Sequence, residues 1–143
     1  MINITNLNEM QKEAVLTTEG PLLILAGAGS GKTKVLTTRI AYLIEEKDIS
    51  PFNILAITFT NKAAKEMQTR LIGLIGEVAK NIQVSTFHSF GLKLLRENYD
   101  KLGYDRNFVI MDSDDSLTVV KKILKDMKVD IKFQIAATFI QHL

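Results

Sequence analysis

This 143-residue sequence predicts an α/β fold in which helices cross over a parallel sheet. Three observations carry that expectation. Strand-like and helix-like patterns alternate in the order β-α-β-α-β-α as far as Tyr99. The strand-like runs are apolar without polar alternation, as expected of strands covered on both faces. The first run also passes through a glycine-rich turn directly into a helical pattern, a strand–loop–helix unit.

Taken in order, Asn8-Glu9-Met10-Gln11 reads as a helix start. Asn8 is the N-cap, and Gln11 stands three residues on, where it closes a capping box. The helix runs to about Leu16 and stops at the turn cluster Thr17-Thr18-Glu19-Gly20-Pro21. Leu22 to Ala26 is the first expected strand. After the glycine-rich turn, Leu36, Ile40, Leu43 and Ile44 share one helical face, with Lys34, Arg39, Glu45 and Glu46 elsewhere. Pro51 marks a break before the second strand, Ile54 to Phe59. Asn61 is expected to cap a helix from Ala63 to about Ile75, which closes near Gly73 and Gly76. Ile82 to Ser85 is a short third strand, leading through Thr86-Phe87-His88-Ser89-Phe90 into a helix from Gly91 to Tyr99. From about Asp112 the character changes. Leu117, Val120, Ile123, Leu124 and Met127 have helical spacing, another helix is expected from Ile131 onward, and no further strand follows.

Composition bounds the class. With 46% hydrophobic and 24% charged residues the chain reads as soluble and globular, and its length suits one ordinary domain. No apolar stretch approaches the roughly 20 residues of a membrane span. Met1 to Asn6 lacks the basic start and apolar core of a secretion signal. The absence of cysteine rules out disulfides and thiolate metal sites and fits a cytoplasmic location. A net charge of +2 is too small to argue nucleic-acid binding from the whole-chain field, so any such contact has to be argued locally.

The most informative residues are Ala26-Gly27-Ala28-Gly29-Ser30-Gly31-Lys32-Thr33. Glycines let successive backbone N–H groups converge on an anion, and the following helix adds unsatisfied donors and the positive end of its dipole. This is the phosphate-cradling P-loop arrangement. In it Lys32 reaches the terminal phosphates as a point charge and the Thr33 hydroxyl ligates magnesium. The first position departs from the strict pattern, being Ala26 rather than glycine. Average residue usage yields the relaxed pattern in roughly one chain in a hundred of this length, so the flanking strand and helix matter. The bland alternative is a glycine-rich turn that joins two elements and binds nothing.

Two further constellations sit at the expected carboxyl ends of the second and third strands, where ligands bind in open α/β sheets. They are Thr58-Phe59-Thr60-Asn61-Lys62 and Ser85-Thr86-Phe87-His88-Ser89-Phe90. Each offers aromatic rings, small hydroxyls and an amide or imidazole. Such a set suits a single-stranded nucleic acid, with rings stacking on bases and hydroxyls, helix-end amides and Lys62 holding phosphates. Each element also has a structural alternative: Phe59, Phe87 and Phe90 as core aromatics, Asn61 as a cap, and His88 as an ordinary packed or surface histidine. Gln11 is ambiguous in the same way, since its amide either closes a capping box or pairs with an adenine edge. The run Phe108-Val109-Ile110-Met111-Asp112 looks like a strand ending in a magnesium aspartate. Ser113-Asp114-Asp115 follows at once, however, so Asp112 or Ser113 serves better as an N-cap with acids in the first turn.

Together these segments resemble a known family. Leu7-Asn8 with Gln11, AGAGSGKT at 26–33, ITFTNKAAKEM at 57–67 and VSTFHSFGLKLLR at 84–96 are similar, in order and spacing, to the Q motif and motifs I, Ia and Ib of UvrD/PcrA/Rep-type superfamily 1 DNA helicases. The resemblance covers essentially the whole chain. It implies that Gln11 reads adenine and that residues 26–33 bind ATP and Mg2+. It also implies that Phe59, Thr60, Asn61, Thr86, Phe87 and His88 line a single-stranded DNA track. The implied fold is a P-loop NTPase (RecA-like) parallel sheet flanked by helices, followed by the start of an all-helical inserted subdomain. Residues 1–110 would be the front part of the first RecA-like domain, and residues 111–143 the beginning of the helical subdomain.

The implied activity is ATP-dependent 3′–5′ translocation and unwinding in DNA repair, replication or recombination, acting on single strands and duplex–single-strand junctions, with no membrane involved. Nothing in the sequence matches the family's Asp-Glu motif, its coupling motif or a second RecA-like domain with an arginine finger. The expectation is therefore an N-terminal fragment, inactive by itself as an ATPase. Rival readings are the helicase subunit of a recombination helicase–nuclease and a small stand-alone P-loop nucleotide-binding module.

Overall fold

A computed structural model of the chain describes residues 2–111 and 113–127. The chain divides into two compact units between Glu97 and Asn98. The first unit holds α1 (Glu9–Leu16), α2 (Lys32–Glu45), β1 (Leu55–Thr58), α3 (Asn61–Ile75), β2 (Gln83–Thr86) and α4 (Phe87–Glu97), with short 3-10 turns at Pro51–Asn53 and Gly76–Asn81. In the second, a 3-10 turn at Asp100–Leu102 precedes α5 (Ser113–Asp126). Among the described residues no helix is long and apolar enough to cross a membrane.

β1 and β2 pair in parallel, with Leu55 opposite Gln83 and Thr58 opposite Thr86. A parallel pair needs a crossover, and α3 with the 3-10 turn supplies it. Both strands therefore end on the same edge of the sheet, which places Phe59 and Phe87 at neighbouring strand ends.

The expected first strand does not form. Residues 22–26 have no strand assignment, and Leu23 and Leu25 are 82% and 86% exposed. Among the described residues two strands form where three were expected. An apolar run expresses a need for burial, but a strand exists only where a neighbour pairs its N–H and C=O groups. No described segment takes that place.

The core has two parts, and α2 belongs to both. Ile40 packs with Ile54, Ala56, Met67, Leu71, Ala79 and Ile82, which joins α2 to the sheet and α3. One turn earlier Val35 packs with Leu7, Ala14 and Val15, which fixes α1. In α3 the buried residues Ala64, Met67 and Leu71 recur at helical spacing. Gly76 ends that helix at φ 73°, a conformation that spares glycine the usual Cβ penalty.

Two helix starts differ from the sequence reading. Thr60, not Asn61, caps α3: its hydroxyl accepts from the Ala63 N–H at 3.1 Å, while Asn61 is the first helical residue. Both residues suit the position, but only Thr60 keeps the extended backbone a cap requires, at φ −124° and ψ 151°. α4 begins at Phe87 rather than Gly91, because the Thr86 hydroxyl accepts from the Ser89 N–H at 3.1 Å and closes the first turn. In the second unit, α5 covers the pattern expected over residues 114–127, and Tyr104 and Phe108 stack with ring centroids 5.6 Å apart. Asp112, weighed above as a cap or metal ligand, and the helix expected from Ile131 lie outside the described residues.

Candidate nucleotide site and nucleic-acid face

The glycine-rich loop leads into α2 as its sequence requires. Gly29 and Gly31 adopt left-handed backbone, with φ of 74° and 81°, which other residues rarely take. Gly31 is the N-cap of α2 and therefore offers no side chain to its first turn. In contrast, Asn8 caps α1 and Thr60 caps α3 through their side chains. The start of α2 also carries no acidic residue, so its backbone donors and dipole are left for an anion.

Ala26, Gly27, Ser30 and Lys32 line a cavity of about 540 Å³ together with Gln11 and apolar side chains from α1, α2 and residues 22–25. Ala28, Gly29, Gly31 and Thr33 lie on the same loop and first turn without lining it. Lys32 is exposed, and its Nζ donates to the carbonyls of Gly27 at 2.7 Å and Ala26 at 3.2 Å. Gly27 O also accepts from the Ser30 hydroxyl at 2.7 Å. The loop is thus curled around its own lysine, and an anion competes with two carbonyls for the ammonium. Thr33 is exposed at the second residue of α2.

Gln11 forms the capping box expected of it. Its N–H donates to Asn8 Oδ1 at 2.9 Å, and its Oε1 accepts from the Asn8 N–H at 3.1 Å. The same amide reaches across the chain, its Nε2 donating to the Ser30 carbonyl at 3.0 Å. Two basic side chains reinforce the seating of α1 on α2. Arg39 donates to the carbonyls of Ala14 (2.6 Å) and Thr17, and Lys34 donates to the Asn6 carbonyl at 2.9 Å.

At the strand ends, Phe59 is 99% exposed and Phe87 74% exposed, so neither is a core aromatic of the described fold. Phe90 is half-buried and His88 exposed. Thr60 and Thr86 serve as the two helix caps described above. Ser89, which the sequence reading placed in this loop without an individual role, joins the two loops: its hydroxyl accepts from Thr86 Oγ1 at 2.9 Å and lies 3.4 Å from Asn61 Oδ1. Its position three residues after Thr86 was the available signal, since that is where a capped helix places its first bonded N–H. Lys62 is exposed on the first turn of α3.

Phosphate binding fits this geometry. A glycine loop in left-handed backbone, an uncapped helix start and a flexible lysine supply donors and positive charge at one place. For magnesium, the Thr33 hydroxyl is a suitable oxygen. Among the described residues, however, no group of three or more His, Asp or Glu side chains stands ready to hold an ion.

The sequence model described as UvrD/REP helicase N-terminal domain matches residues 7–141. Relatives include the ATP-dependent DNA helicase PcrA of Staphylococcus epidermidis, 60% identical over 129 residues. PcrA of Staphylococcus aureus is 57% identical over the same length. In both alignments 90% of this chain is covered but only 18% of the relative, so the chain spans less than a fifth of the proteins it resembles.

Proposed function

The chain belongs to the UvrD/REP helicase N-terminal domain family, and from that premise we propose that it is the N-terminal part of an ATP-dependent DNA helicase. The full protein translocates 3′ to 5′ on single-stranded DNA during repair, replication or recombination, and engages duplex–single-strand junctions. In this reading residues 1–110 are the front of the first RecA-like domain and residues 111–143 open a helical subdomain. The exposed run at residues 22–25 is where further strands of that domain would pair.

One observation carries the reading: a single compact unit combines a glycine-rich helix start free of any side-chain cap with two exposed phenylalanines at adjacent strand ends. The first suits triphosphate and the second suits stacked bases. Residues 26–33 hold the phosphates, with Lys32 leaving the Ala26 and Gly27 carbonyls to meet them. Gln11 faces the adenine edge, and Thr33 is the magnesium ligand. A magnesium ion held there would supply positive charge to offset that of the phosphate oxygens. Phe59 and Phe87 stack on successive bases. Thr60, Asn61, Thr86 and His88 contact the strand beside them.

Phosphoryl transfer depends on positioning and on charge stabilisation from several directions. The described residues offer a phosphate cradle on one side only, so residues 1–143 in isolation bind nucleotide weakly and hydrolyse it negligibly. The test is an ATPase assay, with and without single-stranded DNA, on residues 1–143 and on the full protein. Strand-stimulated hydrolysis is expected only in the full protein and is abolished by Lys32→Ala. Robust Lys32-dependent hydrolysis by residues 1–143 would overturn the fragment reading. A full protein without strand-stimulated hydrolysis would overturn the helicase.

A further inference from the structure

Gln11 lines the cavity and also bonds to the glycine-rich loop beside it. We propose that it is a positioning residue whose amide fixes the Ser30–Gly31 peptide, so that phosphate binding depends on Gln11 whatever base the nucleotide carries. This rests on the reading of residues 26–33 as a phosphate site.

Gln11 Nε2 donates to Ser30 O at 3.0 Å. The peptide bond is planar and trans, so its N–H points away from its C=O. A fixed Ser30 carbonyl therefore fixes the direction of the Gly31 N–H, on the side of the peptide opposite Gln11. That N–H stands at the N-cap of α2, among the donors offered to an anion. Control is needed here because Gly31 has φ 81° and tolerates many conformations, so the peptide plane can turn over at little steric cost.

The packing is close: a Cβ at Gly31 would stand 3.2 Å from Gln11 Nε2. Gln11 is itself held from the other side, where its Oε1 accepts from the Asn8 N–H at 3.1 Å. These contacts use one hydrogen of the NH2 and one lone pair of the oxygen, and they settle which end of the amide is which. One hydrogen and one lone pair remain, the pair an adenine edge requires. Base reading and loop holding are compatible within the same side chain, and the nucleotide's two ends are linked through it.

The experiment compares binding of ATP, GTP and inorganic tripolyphosphate, each with magnesium, to the 143-residue chain by NMR titration. Three proteins are used: wild type, Gln11→Met and Glu13→Gly. Gln11→Met removes the amide at similar length. Glu13→Gly weakens α1 by helix propensity while leaving the amide in place. Gln11→Met is expected to weaken tripolyphosphate and GTP about fivefold or more, the loss of one ordinary hydrogen bond, and ATP at least as much. Glu13→Gly is expected to leave all three unchanged.

A Gln11→Met effect confined to ATP overturns the inference, because Gln11 then acts on the base alone. Equal losses in Glu13→Gly overturn it in favour of a general role in seating α1. Because weak binding is expected of the isolated chain, the titration runs to millimolar ligand; wild type whose residues 26–33 respond to none of the three ligands there refutes the phosphate site itself. If Gln11→Met does not fold, wild-type contacts decide. Cross-relaxation between the Gln11 Nε2 protons and the Gly31 Hα protons in the tripolyphosphate complex supports the inference, and its absence overturns it.

Discussion

Phe59→Ala separates a binding aromatic from a structural one. Phe59 keeps 99% of its surface in the folded chain. At about 25 cal/mol per Å² of buried apolar area, truncating it removes almost no folding energy. The change in unfolding free energy is expected to stay within about 0.5 kcal/mol, as for surface substitutions generally. A buried phenylalanine would instead lose about 3–5 kcal/mol. If a base stacks on the ring, binding loses about 1–3 kcal/mol. That corresponds to roughly five- to 150-fold weaker affinity for single-stranded DNA. The assays are urea denaturation of the chain and fluorescence anisotropy with a labelled oligothymidylate at low salt. DNA affinity within about twofold of wild type refutes the stacking role. A stability loss above about 2 kcal/mol refutes the exposed placement.

Three further substitutions test the scaffold behind the site. Leu71→Ala, at the centre of the core between α3 and the sheet, is expected to cost about 2–5 kcal/mol in urea denaturation; a loss below about 1 kcal/mol would contradict that packing. Thr60→Ala is expected to cost about 1 kcal/mol through the lost cap, while Asn61→Ala costs less in the same measurement. The reverse order would restore Asn61 as the cap of α3.

Much of the site was legible in the sequence because its determinants are local. The capping box of Asn8 and Gln11 needs four consecutive residues, and it forms as read. The helix opening on Lys32-Thr33 and the left-handed glycines before it follow from residue types at fixed spacing. The three departures each involve competition that spacing does not resolve. Thr60 and Asn61 are both good caps, and backbone conformation at the strand end chose Thr60. α4 starts at Phe87 because Thr86, the last residue of β2, doubles as its cap. Residues 22–26 had the composition of a buried strand, but no described segment pairs with them.

What the sequence determined by itself was the family, the glycine-rich loop opening a helix and the order of helices and paired strands. Each is written in short runs whose chemistry is complete within a few residues. Only the tertiary structure decided which aromatic rings face outward, because burial depends on what packs alongside a side chain. Phe59 and Phe87 stand free at the strand ends, while Phe90, one turn away, is half-buried. Only the tertiary structure brought Gln11 to Ser30, a contact between residues nineteen apart in the chain. Val35 seating α1 on α2 makes that contact, and no pattern local to either segment encodes it.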